Sequence, residues 1–242
     1  AAVRYLAGRP EGETPNRVGI AAISYAVGPA VIALIEPEFG LSVDFVVAIG
    51  GYYDLRGVMT FFTTGYFRGR ADEKWRSARP NEYGKWVFVL ANVERIERGF
   101  DRVALSAMAR RKLADLDAAI EDLKANLGPE GRAVVRFLDN REPERAGALI
   151  DALPPNIRAD IAALNLASRD LKPLEARFIL IHGRDDAIIP YTESEALAAA
   201  LRPGQAHLAL IDSLAHADWS AAGIADGVRL WRAVSLLLDQ RR

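Results

Sequence analysis

Cysteine is absent from the 242 residues, and histidine occurs only three times. The first absence excludes disulfides, thiol catalysis and cysteine-held metals. The second leaves little material for a histidine-built metal site. Charge of one sign is also lacking: 31 Lys and Arg stand against 32 Asp and Glu, a net charge of −1. That balance provides no basic footprint for nucleic acid. No uninterrupted apolar run reaches the roughly 20 residues of a membrane-crossing helix. No signal peptide is visible either, because residues 1–10 (AAVRYLAGRP) read as the last turns of a helix. With no initiator Met, the chain reads as starting partway through a larger protein.

What is present is apolar content for a real interior: half the residues are hydrophobic and 26% are charged. Four short runs are nearly continuous in apolar residues: 17–23 (RVGIAAI), 43–49 (SVDFVVAI without its leading serine), 177–182 (RFILIH) and 207–212 (HLALID). Continuous rather than alternating runs are the signature of strands covered on both faces of a parallel sheet. Helical patterns at 26–35, 192–201 and 228–238 separate or follow them. Strand–helix alternation predicts a doubly wound α/β layer. Residues 54–173 differ, with amphipathic helical periodicity clearest over 100–127 and no strand candidate except 86–90. The expected organisation is therefore a core of residues 1–55 and 173–242 carrying a helical insertion over 56–172.

Three chemistry-bearing residues fall just past the carboxyl ends of predicted strands, the edge where open α/β sheets bind ligands. Ser24 follows the first strand between small residues, Ala22 and Ala26, as a tight strand-to-helix turn requires. At such a bend the Tyr25 amide would face a reacting carbonyl, next to a helix amino terminus. The same position also suits a helix cap. Asp185 and Asp186 compete as the acid after the third strand, in the segment HGRDDAIIP. His216 lies in a loop after the fourth strand, 30 residues beyond Asp186. His182 and His207 fall within predicted strands and read as structural.

The order Ser–Asp–His resembles the α/β-hydrolase superfamily, in its serine esterase, lipase and peptidase-like branches. The run from Arg17 through Ser24 to Ala26 is similar to the family's elbow, although alanines replace the two usual glycines. The run from Phe178 to Pro190 is similar to the family's acid loop and assigns the acid to Asp186. The segment Leu214-Ala215-His216 is similar to its histidine loop, again with Ala for Gly. The resemblance implies an α/β-hydrolase-like, mostly parallel sheet of which the second half is present, with residues 60–167 as a cap. It also implies that Gly50 to Asp54 line the site, with Tyr52 and Tyr53 as substrate-side residues and Asp54 as a reserve acid. An amino-terminal segment or chain would complete the sheet and supply a second oxyanion amide; a homo-oligomer is the other way to close the edge.

The function so implied is hydrolysis of a carboxylic ester, thioester or amide by Ser24, His216 and Asp186, on a small acyl substrate and without a cofactor. A peptidase stays within this reading. The aromatic residues Tyr52, Tyr53, Phe61, Phe62, Tyr66 and Phe67 point to apolar or aromatic acyl groups, with at least half of them expected as ordinary core packing. The alternative is a non-catalytic module of the same fold that binds a ligand or partner. Serine at the elbow disfavours dehalogenase and epoxide hydrolase chemistry, and the lack of Cys disfavours a dienelactone-type hydrolase. High Ala, Leu and Arg content is compatible with a bacterial source. The compartment is open, with the cytoplasm as first expectation.

Overall fold

The computed structural model describes residues 17–69, 73–212 and Leu236. The chain divides into two compact units. One is a sheet unit built from residues up to Asp54 and from Leu164 onward; the other is a helical unit of Leu55–Arg68 and Glu73–Ala163.

In the sheet unit four strands lie in the order β1 (Gly19–Ile23), β2 (Phe45–Ile49), β5 (Arg177–Gly183) and β6 (Ala206–Ile211). All three pairings are parallel. Helices α1 (Val27–Ile35) and α2 (Pro37–Gly40) connect β1 to β2, and α10 (Thr192–Ala200) connects β5 to β6. The apolar runs of β2 and β5 pack into the core, where Val46, Leu180 and Phe178 are buried, as are Val27, Val31 and Leu34 of α1; β1 buries only Ala22 and leaves Ile23 exposed. Ile179, Ile181, Ala209 and Ile211 make one cluster, with Val47, Ile49 and Leu236 packed against it. Asp44 sets the starting register. Its carboxylate accepts the Val18 amide at 2.8 Å, while its own N–H and C=O bond to Val18 and Arg177 at 2.8 and 2.9 Å.

The helical unit holds α3 (Leu55–Thr64), a two-residue hairpin of β3 (Tyr66–Phe67) and β4 (Arg76–Ser77), then α4 (Tyr83–Asn92), α5 (Gly99–Ala114) and α6 (Glu121–Lys124). After these come α7 (Pro129–Leu138), α8 (Pro143–Asp151) and α9 (Pro155–Leu164), the last ending in the sheet unit. Proline opens each of these last three helices, at the position where its missing N–H costs nothing. Phe62, Phe88 and Phe137 form the aromatic centre, with ring centroids 5.6–6.1 Å apart.

Two sequence expectations are corrected here. Residues 86–90 are helical, because Trp86, Val89 and Val93 bury one face at three- and four-residue spacing despite their β-rich composition. The single helix expected over 100–127 stops at Ala114. Asp115 leaves helical geometry (φ −153°), and its carboxylate accepts the Asp117 amide at 3.0 Å in a local turn. Arg111 and Lys112 then bond the carbonyls of Ala119 and Leu116. The expected helices at 1–10 and 228–238 lie outside the described residues, apart from Leu236.

Asp101 is a buried acidic side chain that joins two helices of the helical unit. It is fully buried in α5, and its two oxygens accept the Gly128 and Gly131 amides at 2.5 and 2.9 Å, closing the amino end of α7. Asp101→Ala is expected to lower the unfolding free energy by about 2–3 kcal/mol, the value of charge-assisted bonds to buried amides. Urea unfolding checks this, and a midpoint equal to that of the parent would contradict it.

Candidate active site

β1 runs straight into a 3₁₀ turn, Ser24–Ala26, and then into α1. Ser24 sits at the junction with φ +56°, the one non-glycine residue in the left-handed region among the described residues. That conformation costs a residue with a Cβ about 1–2 kcal/mol and persists only where the surroundings enforce it. Here Ala22 is buried, and the turn must pass directly from a sheet into a packed helix. Small residues at 22 and 26 leave room for the bend. Ser24 itself is half-buried, and it begins the turn whose first amides have no intrahelical acceptor.

The strand register brings further groups to the same edge. Ile23 of β1 pairs with Ile49, and Ile49 with Ile181, so Ser24, Gly50 and His182 form the next row. Gly50 has φ +58°, and a Cβ there would lie 3.4 Å from Asp186 Oδ2, so the acid loop rests over this glycine. Asp186 is held by its own loop: Oδ1 accepts the Ile188 and Ile189 amides at 2.8 and 3.0 Å. Its Oδ2 lies 3.5 Å from Nε2 of His182. Burial raises the Asp186 carboxyl, but His182 and the two amides outweigh it and hold the group below its ordinary value. Asp186 is thus an ionised, partly buried carboxylate. Asp185 is exposed.

His182 is completely buried and does more than fill the strand. Its Nε2 lies 2.9 Å from the Ile189 carbonyl, which can only accept, so Nε2 carries the hydrogen. Its Nδ1 is 2.7 Å from Ser194 Oγ, a hydroxyl that can donate to it. Ser194, in the first turn of α10, is 1% exposed. Ser194, His182 and Asp186 therefore lie in one line of contacts, with Ser194 and His182 closed to solvent and Asp186 half-buried. Sequence reading assigned His182 to the strand interior and gave no sign of this contact, because strand periodicity does not tell which neighbour a buried ring meets.

The loop after β2 is pinned by hydrogen bonds at Gly50, Tyr52, Tyr53 and Asp54. Gly50 N–H bonds the Ile181 carbonyl at 2.8 Å, and Tyr53 C=O accepts the Ala167 amide at 3.0 Å. Tyr52 is 1% exposed and donates its hydroxyl to the Leu164 carbonyl at 3.0 Å, and burial pushes its phenol up to about 12. It lies so close to α1 that a Cβ on Gly28 would fall 1.9 Å from its hydroxyl. Tyr52 is thus packing beneath the loop, whereas Tyr53 and Asp54 are half-buried. The Tyr25 ring lies 6.0 Å from the Tyr52 ring. Its phenol is raised by desolvation, then by the Asp186 carboxylate and Tyr52, although 43% of the residue meets solvent and moderates the effect.

Glu193 is the residue that sequence reading missed. It is 6% exposed, one position before Ser194, and its Oε2 accepts the Tyr53 and Asp54 amides at 3.0 and 2.7 Å. A glutamate in the first turn of a helix is ordinarily a solvated partner of the helix dipole, so nothing in the sequence marks it as buried. Desolvation raises its carboxyl to about 8, against the two amide bonds, with Asp54 adding to the rise. His207 is a half-buried β6 residue paired with Ile179. His216 lies outside the described residues. Among the described residues no group of three His, Asp or Glu is placed to hold a metal ion, and no helix is long and apolar enough to cross a membrane.

No protein-family model and no curated protein sequence matches the chain. Solved structures do. A ligand-bound form of LipA, the rice cell wall degrading esterase of Xanthomonas oryzae, aligns with TM-score 0.55 at 15% identity, over 100% of this chain and 62% of LipA. A Legionella pneumophila protein assigned to the hydrolases aligns with TM-score 0.55 at 19% identity, over 100% of this chain and 61% of its own. The fold is that of the α/β hydrolases. The chain spans about three fifths of these two structures. Within this fold the expectation of a mostly parallel sheet holds, with four strands described.

Glu193 makes stability depend on pH. The folded chain keeps its proton up to about pH 8, whereas the unfolded chain releases it near its ordinary 4.5. Between those values the native state binds more protons, so stability falls as pH rises through the window. Glu193→Gln keeps an acceptor for both amides and removes the titration. Urea unfolding at pH 5 and pH 8 is expected to show a smaller difference in the variant than in the parent; equal differences would contradict this.

Proposed function

We propose that the chain carries the reacting residues of a serine hydrolase that cleaves a carboxylic ester through a covalent acyl-enzyme. Ser24 Oγ attacks the carbonyl carbon while His216 takes its proton, giving a tetrahedral oxyanion. The oxyanion collapses, the C–O bond to the alcohol breaks, and His216 returns the proton to the departing oxygen. Water, deprotonated by the same imidazole, then attacks the acyl-enzyme, and Ser24 regains its proton as the acid leaves. Asp186 orients His216 and stabilises its charged form. The Tyr25 amide at the start of the turn is one oxyanion donor.

The observation that carries the reading is Ser24 at φ +56°, between a parallel strand and a helix. An exposed polar turn could relieve this strain with glycine, so keeping a serine there is best explained by what its hydroxyl does. The ionised state of Asp186 on the same edge supports it. The esterase activity of LipA favours esters, with thioesters and amides open to the same residues.

The helical unit, joined to the sheet unit between β2 and β5, serves in this reading as the cap that selects the acyl group. Phe61 and Phe62 are buried in that unit's own core, so they do not bear on substrate choice. Among the described residues β1 pairs with β2 alone. Strands from an amino-terminal segment or chain would add at that edge and bring the second oxyanion amide.

Two sets of variants test the proposal in the full-length protein, with a p-nitrophenyl ester as substrate. Ser24→Ala is expected to abolish turnover with the fold intact by circular dichroism; retained activity removes Ser24 from the site. Asp186→Asn is expected to cost about 10²–10⁴ in kcat, because the imidazole tautomer is no longer fixed, and Asp185→Asn little. Equal costs would overturn the acid assignment. A well-folded parent without turnover would favour the binding-module alternative.

A further inference from the structure

One turn of helix holds both loops of the candidate site. Glu193 and Ser194 are consecutive in α10, about 100° apart around the helix axis, and each is buried against a different loop. Ser194 meets His182, which lies against the acid Asp186. Glu193 meets the loop after β2, through the amides of Tyr53 and Asp54. The first arrangement serves the proposed chemistry directly. The second has no part in it, yet burying a carboxyl group is costly unless something requires it.

The geometry of the loop shows what is required. It leaves the sheet at Gly50, beneath Asp186, passes Tyr52 against the Tyr25 ring, and reaches Tyr53 and Asp54. Tyr52 is locked from below by Gly28 and the Leu164 carbonyl. Tyr53 and Asp54 are half-buried, so their direction is set by backbone bonds rather than by close packing. Among those bonds, the two N–H groups end on a single oxygen of Glu193. Without it both amides would have to turn toward other acceptors, and the Tyr53 side chain would turn with them.

We infer that Glu193 is a positioning residue for the substrate: by holding the Tyr53 and Asp54 amides it fixes the wall against which the acyl group of an ester rests. This rests on the hydrolase reading and deepens it. The role belongs to an acceptor oxygen, because what Glu193 Oε2 holds is two backbone N–H donors, and burial pushes the carboxyl toward its neutral form. An amide carbonyl in the same place therefore does the same work. Asp54 and Tyr53 are the titratable groups facing Glu193 from this loop.

The experiment is steady-state hydrolysis of p-nitrophenyl esters of increasing acyl length at pH 7 by the full-length protein, its E193L, E193D and E193Q variants, and S24A as control. Folding is checked by circular dichroism and by fluorophosphonate labelling of Ser24. E193L is expected to raise KM about tenfold, with kcat changed far less and with acyl-length preference flattened. E193Q restores KM to near the parent value. E193D, one methylene shorter, falls between, and it carries the test if E193L does not fold. A folded E193L or E193D with the parent's KM overturns the inference, as does E193Q impaired as severely as E193L. A loss confined to kcat also overturns it, since it would place Glu193 with the acid rather than with the substrate. An inactive, unlabelled parent overturns the hydrolase reading instead, and so is distinct from these results.

Discussion

The candidate site depends on register. β1, β2 and β5 are parallel, with Ile23, Ile49 and Ile181 in one row, so Ser24 and Gly50 leave their strands beside His182, while β5 runs on to Gly183. A shift of one residue in any strand would reverse which side chains enter the core and carry the edge residues out of line. Asp44 guards against this at the opposite end, where it bonds Val18 and Arg177 at once. The apolar filling of the strands makes the sheet stable; this polar anchoring makes it one sheet rather than several near-equivalent pairings.

Polar groups inside the sheet unit continue the same logic toward the site. His182, Ser194 and Glu193 are all buried: His182 ties the acid loop to β5 at Ile189, Glu193 ties the loop after β2 to α10, and Ser194 joins α10 to His182. Satisfied networks of this kind rigidify their surroundings, whereas a half-satisfied one would be worse than an apolar core. Rigid loops matter because Ser24 is held in a conformation the local sequence does not prefer, and strain is retained only where its neighbours cannot yield.

Much of this was legible in the sequence. The four strands showed as unbroken apolar runs, most fully buried in β5, and the turn at Ser24 showed because only small neighbours fit there. Element boundaries in the helical unit were less readable. Leu116, Ile120 and Leu123 continue the helical spacing of α5, but a short-range bond from Asp115 to the Asp117 amide turns the chain first. Residues 86–90 have strand-like composition and helical spacing, and the spacing prevailed. At the site the sequence indicated which residues stand at strand ends but not how they are supported. Burial of Glu193 and the contact of His182 with Asp186 arise from elements distant in the chain, and no local pattern records them. Tyr52 was expected as a substrate-side residue lining the site, and its place under the loop depends on the absence of a side chain at Gly28.

The central claim is that Ser24 is an activated nucleophile. The most direct measurement is the intact mass of the full-length protein after exposure to a fluorophosphonate, with peptide mapping of the adduct. The account predicts one phosphonyl group, on Ser24. A folded protein that gains no mass, or one labelled at Ser194 instead, would contradict it.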